Sequence, residues 1–383
     1  MTEAPPTFTW EAPFPCYAIA WSEAQHSGGE RDVVRVAVGS FNERRANELH
    51  VLELDLKCGE WRTVGGFRHM FPATGLQWRP RGSDDVAGED VFVSTSDLLR
   101  VFRVQGALGD SFTSSGSRDI SSHDENESTN RTSHISSAST EDSVFGNVSC
   151  VAQLSNPRNQ ESRAPLTSVH WNRADKDVLG VSSIDGTCTI WDVRTSQIRA
   201  QLIAHDESVY DLSFAPHPCV FGSVSRDSSV RIFDLRALEH STILYEGADK
   251  ESLIRVDWNQ LDRNYVAVTD ENSDAVTVLD IRSPGRPLVQ LHPPETVSVA
   301  AQGGNTPVDT CTRPLNAVHW APHHAQYLVS AGVDCTARLW NVSTRQSNMA
   351  YTAPKPIEHF AWNQQRHDYL AMTFASCVHV VAV

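Results

Sequence analysis

The chain has 383 residues, 40% hydrophobic and 21% charged, with a formal net charge of −15; this length suits one large repeat architecture or two ordinary domains. The acidic balance argues against direct nucleic-acid binding, because the surface repels a phosphate backbone. No apolar run approaches the roughly 18 residues of a spanning helix, and Met1–Trp10 lack the basic start and apolar core of a secretory leader, so no membrane partner is expected.

In chain order, the first predicted element is an alternating strand, Thr7-Phe8-Thr9-Trp10. A weak copy of a repeat unit follows from Tyr17 to Asp55, and another from Gly75 to Val104. The unit is a short apolar strand ending in an aromatic residue, a second apolar strand, a turn, and a third strand that commonly closes on an aromatic and Asp. Residues 106–164 break the pattern. Fifteen of these 59 residues are Ser and four are Thr. Such a stretch buries too little apolar area to offset its ordering entropy, so it reads as a disordered loop leaving the second blade, dispensable for stability. The unit is plainest at 166–194 and recurs at 209–236 and 253–282. A second insertion, residues 292–313, is rich in Pro, Gly and Thr and reads as flexible. The last two copies are 315–342 and 356–383.

The marker aromatics of the first strands are Trp21, Trp78, Trp171, Phe214, Trp258, Trp320 and Trp362. From Trp171 to Phe214, Phe214 to Trp258 and Trp320 to Trp362 the spacings are 43, 44 and 42 residues, the period of a four-stranded propeller blade. Asp185, Asp227 and Asp334 each stand six residues before Trp191, Phe233 and Trp340. In WD repeats that Asp sits in the turn between the second and third strands and accepts bonds from turn amides and a neighbouring His. His205 is expected to complete such a network with Asp227 and Ser223 or Ser225. The fold is therefore read as all-β, one seven-bladed WD-repeat propeller; the protein is expected to be a monomer. A ring abolishes exposed sheet edges only when closed. The copy at 356–383 is one strand short, and Thr7–Trp10 is expected to supply its outer strand.

Chemistry-bearing motifs are sparse. The sequence holds no GxSxG elbow, HExxH pair or phosphate-cradling GxxxxGK[ST]. Its eight cysteines form no CxxC pair, which leaves no disulfide framework or structural zinc pattern. His319 and His323 are four apart, but that spacing converges on a metal only in a helix, and here a strand and a turn are expected. No cofactor or metal is expected. A repeat propeller is more often a binding platform than an enzyme. Convergent titratable groups in the central channel would speak for catalysis. On the face carrying the turns between second and third strands, the candidate contacts are His205, Asp206, Glu207, Arg226 and Ser228, near Ile184 and Gly186. The opposite face carries Arg194, Arg236 and Arg282.

Long stretches resemble the Transparent Testa Glabra type of WD-repeat protein and its animal relatives. They are Trp10–Pro13 with Tyr17–Ser22, VAVGSF at 36–41, LGVSSIDGTCTIWDV at 179–193, QLIAHDESVYDLSF at 201–214 and SSVRIFDLRALEHSTILYE at 228–246. The resemblance implies a non-enzymatic scaffold, cytoplasmic and nuclear. Its partners would be DYRK-type kinases, helix-loop-helix and MYB-type transcription factors, or the adaptor of cullin-4 ubiquitin ligases. The last is implied through an Arg in a W-D-x-R pattern. Trp191-Asp192-Val193-Arg194 fits it fully, while Arg236 and Arg282 follow a substituted aromatic. The alternative role for these arginines is a local salt bridge to the adjacent Asp.

Overall fold

The computed structural model describes residues 7–24, 31–43, 46–81, 90–106, 143–155, 164–247, 250–293, 314–366 and 368–382. The strand β1 (Thr7–Glu11) precedes blade 1, which is β2 (Cys16–Trp21), β3 (Val33–Ser40), β4 (Asn47–Asp55) and β5 (Glu60–His69). Blade 2 begins with β6 (Gly75–Trp78), β7 (Asp90–Thr95) and β8 (Leu99–Val104); β9 (Ser143–Gly146) and β10 (Val148–Leu154) follow. Blade 3 is β11 (Leu166–Trp171), β12 (Val178–Ser183), β13 (Thr187–Asp192) and β14 (Gln197–Ile203). Blade 4 is β15 (Val209–Phe214), β16 (Val220–Ser225), β17 (Ser229–Asp234) and β18 (Ser241–Glu246). Blade 5 is β19 (Leu253–Trp258), β20 (Tyr265–Asp270), β21 (Val276–Asp280) and β22 (Pro287–Leu291). Blade 6 is β23 (Leu315–Trp320), β24 (Tyr327–Gly332), β25 (Thr336–Asn341) and β26 (Gln346–Thr352), and blade 7 contains β27 (His359–Trp362), β28 (Tyr369–Phe374) and β29 (Cys377–Ala382).

These strands form seven antiparallel sheets, a seven-bladed propeller. The ring closes as expected. β1 pairs with β29 from Thr7 opposite Val381 to Glu11 opposite Cys377, completing blade 7. Its alternation explains the fit, since Phe8 and Trp10 turn inward while Thr7, Thr9 and Glu11 face solvent. The two aromatics pack on the cluster of Phe14, Trp21, Val36, Leu52, Val378 and Val380 between blades 7 and 1.

The marker aromatics are buried where neighbouring blades meet. Trp171 and Phe214 are fully covered. Three indoles also bond backward to the preceding blade: Trp21 Nε1 donates to Ala361 O at 2.9 Å, Trp78 Nε1 to Ala20 O at 3.1 Å and Trp320 Nε1 to Asp257 O at 3.1 Å. Such a donor needs a partner once buried, so the Trp choice encodes the inter-blade bond as well as the packing.

One expectation is corrected. Residues 143–155 belong to the propeller and are not part of a disordered loop. β10 pairs with β8 and is the fourth strand of blade 2, while β9 pairs with β5 as a fifth strand on blade 1. Val148 and Leu154 are buried. Averaging composition over the Ser-rich window hid the run Val148–Leu154, which carries three apolar positions besides its ends. Residues 107–142 and 156–163 of that insertion, and 294–313 of the second, lie outside the described residues.

Candidate functional site

The turns between second and third strands hold the predicted aspartates. In blade 4 the network forms in full. His205 Nδ1 meets Asp227 Oδ2 at 2.9 Å and its Nε2 meets Ser223 Oγ at 2.8 Å. Ser229 Oγ donates to Asp227 at 2.6 Å, and Arg231 lies 3.3 Å from the same carboxylate. Ser225 takes a different part, its hydroxyl accepting from the Asp227 amide at 3.1 Å. Burial alone would push the Asp227 carboxyl up, but the bonds from His205 and Ser229 outweigh it and hold the group well below the usual carboxylate range. In blade 6, Asp334 accepts from the Thr336 amide at 2.9 Å and pairs with Arg338, while Trp340 Nε1 donates to Ser330 Oγ at 2.9 Å. In blade 3, Asp185 accepts from the Thr187 amide and hydroxyl at 3.1 and 2.6 Å. Trp191 and Phe233 are buried, and the Phe233 ring stacks on Phe221 at 5.1 Å.

This geometry corrects two candidate contacts. His205 is 1% exposed and Ser228 is 4% exposed, so neither can touch a partner. The turn network draws His205 inward, and Ser228 is tied through its backbone to Ser225 and Gly247. Asp206, Glu207 and Arg226 remain exposed on this face. His205→Ala is expected to destabilise the protein by about 2–3 kcal/mol, because Ser223 and Asp227 keep their burial and lose their partner. Urea titration of the variant measures this directly. An unchanged midpoint would mean that the network contributes nothing.

The opposite face carries the three arginines on consecutive blades. Arg236 forks onto Asp234 (Nη2 to Oδ2 2.5 Å, Nε to Oδ1 2.9 Å), and Arg282 does the same with Asp280 (2.7 and 2.9 Å). The fork from Arg236 brings the Asp234 carboxyl down to about 2, and that from Arg282 lowers Asp280 likewise. Arg194 differs. It reaches Asp177 at 3.4 Å and not its neighbour Asp192, which accepts from the Thr195 amide at 2.8 Å and lies 3.4 Å from Arg199. The local salt bridge to the adjacent Asp, the alternative role of these arginines, therefore forms in two of the three. The side chains of Arg194, Arg236 and Arg282 are 70%, 64% and 61% exposed, so all three remain available to a partner.

Sequence reasoning missed the lining of the central channel. In blades 2 to 5 the side chain just before the marker aromatic reaches the next blade. Gln77 Oε1 accepts from the Trp171 amide. His170 Nδ1 accepts from the Phe214 amide at 3.2 Å, Ser213 Oγ from Trp258 at 3.0 Å and Asp257 Oδ2 from Trp320 at 2.7 Å. The readable signal was a polar residue inside an apolar strand, repeated at the blade period.

Several imidazoles are held neutral. Burial brings His69 and His170 down to about 4 and His359 to about 3. Each folded value lies below the unfolded one, near 6.5. The stability they contribute is thus fully present above about pH 6.5 and is lost as pH falls toward 4. Unfolding free energy is expected to fall by on the order of 5 kcal/mol between pH 7 and 4.5, from a few kcal/mol per imidazole. His69→Leu should lessen that slope, since His69 is 1% exposed and neither ring nitrogen is hydrogen-bonded among the described residues. Urea titrations at both pH values test this, and equal stability at the two would refute it.

The WD domain, G-beta repeat family matches residues 196–234 and 305–341. The chain is 31% identical to the DDB1- and CUL4-associated factor 7 homolog of Dictyostelium discoideum, covering 98% of each. An uncharacterised WD repeat-containing protein of Schizosaccharomyces pombe is 29% identical over 87% of this chain and 69% of its own length. A WD repeat-containing protein of Saccharomyces cerevisiae is 27% identical over 88% of this chain and 58% of its own.

Proposed function

The chain belongs to the family of WD-repeat proteins that contains the DDB1- and CUL4-associated factor 7 homolog, and from that premise we propose that it is a non-enzymatic scaffold assembling regulatory protein complexes. The observation that carries this is the pair of faces. One presents Asp206, Glu207 and Arg226 around turns fixed by the buried His205–Asp227 network. The other presents an exposed row of Arg194, Arg236 and Arg282. Arg236 and Arg282 are held by their own carboxylates, so little rotamer freedom is lost when a partner docks. The finer reading, of the Transparent Testa Glabra type, places a DYRK-type kinase or helix-loop-helix and MYB-type factors on the first face, in the cytoplasm and nucleus. The second reading is a substrate receptor of a cullin-4 ligase. It is favoured by the arginine row and by the relative's name, and would use the second face.

The channel does gather titratable groups with shifted ionisation. Its carboxylates and His170 are nevertheless occupied by backbone amides and a serine hydroxyl, and the reading remains one of binding.

Replacing Arg194 and Arg236 together by Ala separates the two readings. The ligase reading expects loss of co-purification of the cullin-4 adaptor, with an unchanged melting curve, because exposed ion pairs contribute only about 0–1 kcal/mol. Kinase or transcription-factor binding through the other face should survive. Loss of both partner classes from a stable variant would place them on one shared face. Failure of the intact protein to retain any adaptor removes the ligase reading and leaves the scaffold.

A further inference from the structure

The position three residues before the marker aromatic places Ser168, Asp211, Arg255, Ala317 and His359 in the channel wall, in blades 3 to 7. They line a cavity of about 200 Å³ together with His170, Asp257 and His319. Ala317 has only a methyl group between Arg255 of blade 5 and His359 of blade 7, which leaves room at that point of the ring. The His319 and His359 rings are 5.9 Å apart there.

The distribution of donors and acceptors decides what this recess accepts. Arg255 is anchored by two neutral groups: its Nε donates to Asn316 O at 2.7 Å and its Nη1 to Ile254 O at 3.0 Å. It stands in no contact ion pair and Nη2 makes no hydrogen bond among the described residues, although its charge also acts on the Asp211 carboxyl, which burial pushes up and Arg255 lowers. The acidic groups nearby are already occupied. Asp211 accepts from Ser168 Oγ at 2.5 Å, the Leu212 amide at 2.9 Å and the Val256 amide at 3.0 Å. Asp257 holds the Trp320 amide at 2.7 Å, and His319 Nδ1 lies 3.6 Å from the same oxygen. His170 accepts through Nδ1, which puts its ring proton on Nε2. His359 Nδ1 is buried without a hydrogen-bond partner among the described residues. The cavity is therefore left with a fixed guanidinium, the Nε2–H of His170 and, on His319 and His359, neutral imidazoles that each carry one N–H, together the complement of an acceptor-rich anion.

We propose that the central channel binds a phosphate-sized oxyanion, free or as a small phosphomonoester, held by Arg255 with His359 and His319. The guanidinium takes two oxygens, and the two imidazoles close the site from blades 6 and 7. A cationic ligand fits less well, because the carboxylates that would receive it already hold amide and hydroxyl donors. In a chain of net charge −15 an anion has no general attraction to the surface, so binding has to come from a local site.

Calorimetric titration of the full chain with inorganic phosphate, and separately with glycerol phosphate, tests this. One saturable site is expected. Arg255→Gln should weaken binding about tenfold or more, as for loss of charged hydrogen bonds. Arg199→Gln on the outer strand β14 should leave it unchanged. If Arg255→Gln fails to fold, having lost its bridge to Asn316, His359→Gln takes its place and should weaken binding several-fold. Preference for the ion or for the ester identifies the source, and either supports the site. Absence of saturable binding overturns the proposal. So does full affinity in a folded Arg255→Gln or His359→Gln protein, or equal loss in Arg199→Gln.

Discussion

A protein lacking residues 1–12 is expected to melt roughly 5–10 °C lower, over a broader transition, and to self-associate, an effect far beyond the length removed. The lost strand β1 is the whole outer edge of blade 7. Phe8 and Trp10 would leave the cluster between blades 7 and 1. Their partial burial contributes about 2–4 kcal/mol together. The five-residue ladder to β29 would go with them. His379 would lose the Thr9 hydroxyl at 2.9 Å, though it keeps the Tyr351 hydroxyl at 3.0 Å. The strand Cys377–Ala382, now an unpaired edge, would be free to pair with another chain. Scanning calorimetry and size-exclusion chromatography read both consequences. A truncated protein that stays monomeric and melts like the full chain would show that the ring does not depend on this closure.

Exchanging residues 143–155 for the same number of Gly and Ser residues should cost on the order of 5 kcal/mol, although composition alone predicts no change. The segment stitches two blades. Phe145 lies against His50, with ring centroids 5.2 Å apart, and Arg68 covers its other side at 5.8 Å. Asn147 donates to Val64 O at 3.0 Å and accepts from the Gln105 amide at 2.7 Å, joining blade 1 to blade 2. Gly146 makes this crossing possible. Its φ is +67°, and a Cβ there would stand 2.4 Å from Val64 O. Gly65 opposite is equally constrained, because a Cβ would meet Phe145 O at 2.5 Å. The exchange removes the burial of Val148 and Leu154 and bares the β8 edge. An unaltered melting curve would mean that blade 2 is stable with three strands.

Features encoded locally were legible in the sequence. The spacing of Trp171, Phe214 and Trp258, the aspartates six residues before the third-strand aromatics, and the alternation of Thr7–Trp10 each report one turn or one strand. That was enough for the blade number, the turn networks and the closing strand, since each repeat copies the same short-range physics. His205 with Ser223 and Asp227 was also within reach, because three polar residues at a blade junction have few other partners.

What the sequence left undecided were choices between distant partners. Arg194 could have paired with Asp192. The folded chain gives Asp192 to Thr195 and Arg199 and sends Arg194 to Asp177. The run Val148–Leu154 could be recognised as a strand only once an edge at β8 existed to receive it. Arg255 and His359 stand three residues before their marker aromatics and His319 one before, a register that acquires its meaning as a channel wall only in the closed ring. Only the tertiary structure brings them together, because the curvature of the ring, set by aromatic packing between blades, decides which first-strand side chains meet across the axis.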